Sequence, residues 1–373
     1  MRIGIDAKWY FEGPPSGKRV IRNIVDQILK MEDNNTYYIF LNKKHKNTDF
    51  NTKGKKGVEL CYVWAGNNFL SNVFVLPFFS NRYKIDSLLY QNFASPFDRS
   101  KKVAYVHDIL FLSNPEYYTT YERLYFAPLK FLTKKADLII TVSLEEKKRL
   151  LAWGFSKNAD KIVVAHHGVE SSFQPLERYP IEMVQDIKHK FHLPDSFLLF
   201  VGRLNLRKNI EALLRAIPLL KNKTIPLVIV GAEDWKKSKH LEVVNVLGIK
   251  DRIQFTGAVY ENLGVIFSLS TVFCFPSHAE SFGLPPLEAM ASGVPVVVSN
   301  TTSLPEVCGD AGSYVDPNKP EEIAMAIDDL LDNEQLYKEK RIMGLQQSKK
   351  FTWDRATQII INSMERNEIE DQQ

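Results

Sequence analysis

Thirteen short stretches of this chain are apolar almost without interruption, and they fall into two series. The first series is Ile3–Ile5, Tyr37–Leu41, Val58–Val63, Ser87–Tyr90, Val103–His107, Leu138–Val142 and Ile162–His166. The second is Phe197–Gly202, Pro226–Gly231, Ile253–Gly257, Val272–Ser277, Val294–Ser299 and Ser313–Asp316. A strand with one wet face alternates polar and apolar residues; an unbroken apolar run marks a strand covered on both faces, as in a parallel sheet. Helical patterns fill the intervals. Lys208–Leu220 places Ile210, Leu213, Leu214 and Ile217 on one face, and Ser143-Leu-Glu-Glu146 has the form of a capping box. Strand–helix alternation implies an α/β protein with parallel sheets and right-handed crossovers. The series is broken at Glu170–Pro194, which holds Pro175, Pro180 and Pro194 and no strand pattern. We therefore expect two doubly wound, Rossmann-like domains, 1–170 and 195–350, joined by a linker, 171–194. A last helix, roughly Trp353–Glu370, has no strand after it.

Composition excludes several classes. Of the 373 residues, 45% are hydrophobic and 25% charged, with a net charge of +4, so the chain is neither disordered nor a membrane span. The most apolar segment, Phe69–Phe79, is too short to cross a bilayer. The start, MRIGIDA followed by Lys8, reads as a strand and not as a signal peptide. Three scattered cysteines fit neither a disulfide framework nor a zinc site, and the expected location is a reducing cytoplasm. Residues 1–170 carry 26 Lys and Arg against 17 Asp and Glu, whereas 171–373 carry 22 against 27. A basic first half points to an anionic partner, or simply to a solvated surface.

In open parallel sheets, ligands bind where strands end and loops lead into helices. The loop Gly13-Pro-Pro-Ser-Gly17-Lys18-Arg19 has the glycines and cations of a phosphate cradle, or of a plain tight turn. The loop Gly202-Arg203-Leu-Asn-Leu-Arg207-Lys208-Asn209 places three cations in six residues, with Lys208 expected on the first turn of a helix. That pattern suits a diphosphate. The string from His278 to Ser299 places Glu280 in a loop and Glu288 on the following helix, opened by Pro285 and closed by Gly293. Between the two carboxylates, Phe282-Gly283-Leu284 offers backbone N–H groups, and carboxylates accept hydroxyl protons in pairs.

These strings resemble retaining glycosyltransferases of family 4, which have the GT-B fold of two facing Rossmann-like domains with a last helix (351–373 here) crossing back to the first. The likeness is carried by VGRLNLRKN (201–209), HAESFGLPPLEAMASGVPVV (278–297), AYVHDI (104–109), ADLIITVS (136–143) and FTW (351–353). It implies that Arg203 and Lys208 hold the donor diphosphate, Glu280 the donor sugar and Glu288 the ribose. Phe282, Gly283 and Leu284 would bind through backbone N–H groups, with Gly202 at the turn. His107 would face the donor sugar, and Gly17 would lie near the diphosphate and acceptor. The chain departs from the family around Gly17, where Pro-Ser-Gly-Lys-Arg-Val replaces a Gly-x-Gly-aromatic pattern, and at His167-Gly168-Val169, where Asn-Gly-Val is usual. SLPEVCGDAGSYVDP (303–317) resembles the polysaccharide mannosyltransferase branch and favours GDP-mannose, with UDP-sugars as alternatives.

The implied reaction moves a hexose from a nucleoside-diphosphate sugar to a glycan or lipid-linked acceptor. No Asp-x-Asp occurs in the chain, so neither a metal nor a cofactor is expected, with cations neutralising the departing diphosphate. A GT-B-fold epimerase is the nearest enzymatic alternative. A non-catalytic partner subunit is another, although it would be expected to lose Lys208 or Glu280. No G-x-G-x-x-G follows any strand, which argues against a nicotinamide enzyme, and no nucleic-acid-binding motif is found. The basic first half, with Phe69–Phe79 followed by Arg82 and Lys84, suggests peripheral contact with an anionic inner membrane face; the alternative is that Phe69–Phe79 is core.

Overall fold

A computed structural model describes residues 1–232 and 240–366 of the chain. It divides into two compact units, Met1–Gly168 with Trp353–Gln373, and Val169–Thr352.

The first unit is built on a seven-stranded sheet. Its strands are β1 (Arg2–Asp6), β2 (Thr36–Asn42), β3 (Val58–Val63), β4 (Ser87–Gln91), β5 (Lys101–Tyr105), β6 (Leu138–Thr141) and β7 (Ile162–Val164). Their order is 3-2-1-4-5-6-7 and every pairing is parallel. Ile3, Ile5, Ile39, Leu88, Leu89, Val103 and Ile139 are fully buried, as strands covered on both faces require. Helix Pro15–Ile28 lays Val20, Ile21, Ile24, Val25 and Ile28 inward and packs against helix Trp353–Glu365, which buries Ile360, Ile361 and Met364. The terminal helix therefore belongs to the first unit; the remainder of its expected span, to Glu370, lies outside the described residues.

The second unit carries six strands: β8 (Leu198–Val201), β9 (Leu227–Val230), β10 (Ile253–Gly257), β11 (Val272–Phe275), β12 (Val296–Ser299) and β13 (Gly312–Val315). Their order is 10-9-8-11-12-13, again all parallel. In both sheets the strand order reverses once, between β1 and β4 and between β8 and β11. The loops leaving those strands diverge, and a crevice opens at the carboxyl edge.

Four local expectations need correction. The segment 171–194 is not a bare linker. It forms helix Ile181–Lys190, which turns Val184 and Ile187 inward and packs on helix Leu263–Leu269 within the second unit. Its prolines flank the helix, Pro175 and Pro180 before it with Pro180 at the N-cap and Pro194 after it, and do not break it. Lys208 is not on the first turn of an α-helix. It closes a 3₁₀ turn, Leu206–Lys208; Asn209 then takes a left-handed conformation (φ 52°), and the α-helix runs only from Ile210 to Ala216. His107 lies two residues beyond β5, whose last residue is Tyr105. At Ser143 the cap forms, its Oγ accepting from Glu146 N–H at 3.0 Å. The Glu146 carboxylate, however, accepts from Ile109 N–H at 2.7 Å and from Arg149. It thereby ties the loop after β5 to the next helix.

One glycine in the second unit is required by backbone proximity. A Cβ on Gly231, at the end of β9, would lie 1.9 Å from the carbonyl oxygen of Gly202, at the end of β8. Gly231→Ala is therefore expected to push the two strand ends apart and to lower stability by about 1–3 kcal/mol, the cost typical of overpacking. Urea unfolding of variant and wild type checks this; equal midpoints would show that the strand ends move apart freely.

Candidate active site

The switch point of the second sheet gathers a charged cluster. The loop after β8 supplies Arg207 and Lys208; the loop after β11 supplies Ser277 and Glu280. Lys208 Nζ lies 2.7 Å from Glu280 Oε1, and Arg207 Nη1 lies 2.8 Å from Glu280 Oε2. Ser277 Oγ donates to Glu280 Oε1 at 2.5 Å. Glu280 is buried, 6% exposed, and two half-buried cations close over this one carboxylate.

The backbone around it is stitched tightly. Asn205 Oδ1 accepts from Lys208 N–H at 3.1 Å and caps the 3₁₀ turn. The left-handed Asn209 donates from Nδ2 to the carbonyls of Pro276 (3.0 Å) and Pro317 (2.7 Å). His278 N–H donates to the Arg207 carbonyl at 2.9 Å. Thr302 Oγ1 accepts from Glu280 N–H at 2.9 Å, and Ser303 Oγ donates to the Glu280 and Phe282 carbonyls at 3.1 and 2.6 Å. Lys208 Nζ also stands 4.6 Å from the centroid of the Phe275 ring.

The charges follow from this packing. Burial alone would raise the Glu280 carboxyl, but the Arg207 and Lys208 charges and the hydrogen bonds from Lys208 and Ser277 outweigh it and bring it down to about 2. Burial lowers Lys208 to about 8; the Glu280 charge opposes this and Arg207 adds to it. The two shifts are compatible because one carboxylate serves two cations. Glu280 gains from both cations, while Lys208 and Arg207 share the one carboxylate in a partly desolvated place. A carboxylate has about four lone-pair sites, of which the three donors named here occupy three.

The other expected residues fall as follows. Gly202 ends β8, beside Gly231. Arg203 is exposed in the same loop and its guanidinium has no side-chain partner among the described residues. The sequence paired Arg203 with Lys208; the structure pairs Arg207 with Lys208, because the tight turn at 206–208 draws both neighbours toward Glu280. Gly283, with φ 121°, is the N-cap of helix Leu284–Ala291. Pro285 and Pro286 carry no N–H, so Gly283 and Leu284 supply the donors there. Phe282 is buried, its ring 5.8 Å from that of Phe351. Glu288 is 2% exposed on the same helix, which ends at Ser292 with Gly293 left-handed (φ 74°).

In the first unit, His107 is half-buried, its Nε2 2.7 Å from Gln91 Oε1. Its ring is flanked by Tyr105 (4.6 Å between centroids) and Trp9 (5.9 Å), and burial lowers its imidazole to about 4, so it is neutral at pH 7. The glycines of the first loop are explained without a phosphate. A Cβ on Gly13 or on Gly17 would lie 2.8 Å from the Trp9 indole; both make room for that ring. Gly17 is buried inside the start of helix Pro15–Ile28, under Trp9.

The chain matches the family model for glycosyl transferases group 1 over residues 184–346. It is 34% identical over 278 residues to O-antigen chain mannosyltransferase B of Escherichia coli, covering 73% of this chain and 72% of the relative. It is 30% identical over 275 residues to the E. coli serotype-specific mannosyltransferase WbdA, of whose length it spans about a third (33%), with 71% of this chain covered. Its fold matches sucrose-phosphate synthase from Thermosynechococcus elongatus with a TM-score of 0.75 at 19% identity, over 97% of this chain and 98% of that one. With its two parallel sheets, this is an α/β protein of the GT-B class. The chain belongs to the group 1 glycosyl transferases.

The lowered Lys208 has a measurable consequence. An anion bound there raises Lys208 from about 8 toward the ordinary lysine range, so binding takes up protons between pH 7 and 9, and affinity falls as pH rises through 8. At pH 6 the amine is already protonated and uptake vanishes. Calorimetric titration with GDP and UDP in buffers of different ionisation enthalpy reads the uptake directly. Lys208→Met is expected to abolish it; uptake persisting in that variant would mean another group titrates.

Proposed function

We propose that this glycosyl transferase moves mannose from GDP-mannose to a glycan or lipid-linked acceptor during assembly of a cell-surface polysaccharide, with retention at the anomeric carbon. The observation that carries the reading is the Arg207–Glu280–Lys208 cluster, two cations gathered on one buried carboxylate at the carboxyl edge of the second sheet, where ligands bind in open parallel sheets. The choice of mannose rests on the O-antigen chain mannosyltransferase B relative and on the tail of residues 303–317. A UDP-sugar is the alternative donor.

The chemistry follows from where charge develops. As the bond between sugar and diphosphate breaks, negative charge grows on the leaving phosphate oxygen. Lys208 and Arg207 are held rigidly by Glu280 and the turn, and Arg203 adds a solvent-facing cation from the same loop. Such preorganised charge stabilises the transition state more than the ground state. Glu280, ionised and tied to three donors, is a poor nucleophile; its remaining lone pair suits a sugar hydroxyl. Retention then requires the acceptor to attack from the face the diphosphate leaves, its proton passing to the departing phosphate oxygen. Glu288 would hold the ribose, Gly283 and Leu284 would donate backbone N–H groups to the donor, and neutral His107 would meet a substrate hydroxyl.

Lys208→Ala is expected to lower turnover 100- to 1,000-fold, or about 2.7–4 kcal/mol of barrier. Arg203→Ala is expected to fall as far, with both variants folded. Wild-type turnover is expected to persist in EDTA, since the cations serve the leaving group. Transfer from GDP-mannose and UDP-sugars to a lipid-linked saccharide, followed by mass spectrometry, checks all three. Near-normal turnover in Lys208→Ala, or loss in EDTA with rescue by manganese, would overturn the corresponding role.

Membrane contact is the finer part of the reading. Among the described residues no helix is long and apolar enough to cross a membrane. Of the segment Phe69–Phe79, Val73 and Leu76 are core, with Phe69, Val75 and Phe79 packed on it. Leu70 (42%), Phe74 (58%) and Phe78 (61%), spaced by four, are exposed, and Phe97 stacks on Phe74 at 5.8 Å. Arg82, Lys84 and Arg99 are exposed near them in sequence. An apolar stripe flanked by cations suits an anionic leaflet. Co-sedimentation with vesicles of graded anionic content is expected to rise with charge and to drop in Phe74→Ser/Phe78→Ser. Equal binding to neutral and anionic vesicles at low salt would remove the electrostatic role.

A further inference from the structure

The first sheet also gathers a polar cluster at its switch point, and it has no place in the donor chemistry. Lys8 and Asp6 leave β1 as a buried ion pair, 2.5 Å apart and each about 1% exposed at the side chain. Lys8 Nζ also donates to Asn72 Oδ1 at 2.6 Å. Because an ammonium only donates, the atom facing it must be the amide oxygen, which fixes the orientation of Asn72. Its Nδ2 then donates to the carbonyls of Gln91 (3.0 Å) and Phe93 (3.1 Å). Asn72 reaches inward from a π-helical turn, Ser71–Val75, the kind of local widening that recurs at functional sites.

Gln91, the last residue of β4, is thus clamped from both sides. Its N–H donates to Asp6 Oδ2 at 3.2 Å and its carbonyl accepts from Asn72. Its side chain is 1% exposed and meets His107 Nε2 through Oε1 at 2.7 Å. Its Nε2 is buried and has no partner among the described residues. A buried amide is left with an unpaired N–H only where something else dictates its orientation, and among the described residues the hydrogen bond its side chain makes is with His107. An amide oxygen accepts and cannot donate, so Nε2 of a neutral His107 must carry the proton and Nδ1 the lone pair.

We propose that Gln91 is a positioning residue for His107: its Oε1 holds the imidazole as the Nε2–H tautomer, so that Nδ1 is the nitrogen that accepts a hydrogen bond from a substrate hydroxyl. The inference deepens the proposed role of His107 and rests on it. Asp6, Lys8 and Asn72 form the buried frame that fixes the Gln91 backbone. The ring has a defined acceptor instead of a mixture of tautomers, as ligating histidines gain from the partner on their second nitrogen.

The test is a two-bond proton–nitrogen NMR spectrum of protein labelled at histidine nitrogens, with the His107 signals assigned by their loss in His107→Asn. Wild type is expected to show Nε2 protonated and Nδ1 unprotonated. Gln91→Met keeps the length and removes the acceptor; it is expected to mix the tautomers and to lower kcat about 10- to 100-fold, with the KM for donor nearly unchanged. Gln91→Glu restores an acceptor and is expected to restore the tautomer and most of kcat, which a role in packing alone would not require. The Nδ1–H tautomer in wild type would overturn the inference even if Gln91→Met failed to fold. So would Gln91→Met with unchanged tautomer and kcat beside an inactive His107→Ala, and that result would leave the role of His107 standing. Normal turnover in His107→Ala would instead remove the role itself and the inference with it.

Discussion

Everything chemical in this chain depends on a backbone constraint: a parallel sheet whose strand order reverses once. Crossovers on the two sides of the reversal pack on opposite faces, so the loops leaving the two central strands part company. In the second unit that divergence lets loop 202–209 and loop 276–283 approach from two sides and close Arg207 and Lys208 on Glu280. In the first it brings Asp6 and Lys8 from β1 beside Gln91 from β4. The same geometry thus creates a polar cluster twice, one with two cations on a single carboxylate and one built on a single lysine–aspartate pair.

The strands were legible because burial on both faces leaves an unmistakable mark, a run such as Leu138-Ile-Ile-Thr with no polar alternation. The cap at Ser143, the helix from Pro285 to Gly293 and the family strings were legible for similar local reasons. What stayed hidden was pairing across long sequence separation. Nothing near Arg207 announces that its partner is 73 residues away, or that Arg203 in the same loop remains outside the cluster. The hydroxyl run Ser299, Thr301, Thr302, Ser303 at a strand end was a readable signal; all four hydroxyls bond to the backbone of residues 277–282 around Glu280. Gly13 and Gly17 show a different pattern: a glycine pair before a helix looks like a phosphate loop, and here both glycines also make room for the Trp9 indole, four and eight residues upstream. Helix Ile181–Lys190 was obscured by prolines that in fact flank it.

The two units also differ in how they treat charge. Glu146 is raised to about 8, chiefly by burial, even with Arg149 beside it and the Ile109 N–H bonded to it. Glu280 is lowered to about 2 under equal burial, because it faces two cations where Glu146 faces one. Burial pushes both carboxyls up; the nearby Asp108 adds to this at Glu146, whereas the second cation and the Ser277 hydroxyl reverse it at Glu280. Glu146 anchors the loop carrying His107 and Asp108, so its task is mechanical, whereas Glu280 can organise a ligand's charge.

The helix Trp353–Glu365 packs on helix Pro15–Ile28, although more than 300 residues separate them in the chain. During synthesis, therefore, every residue of the second unit leaves the ribosome before the first unit can be completed. At about 5–20 residues per second, the first unit waits on the order of tens of seconds for its last helix. Through that interval the apolar surface that later receives Ile360, Ile361 and Met364 has no covering helix, and the second unit is the first of the two able to close its core.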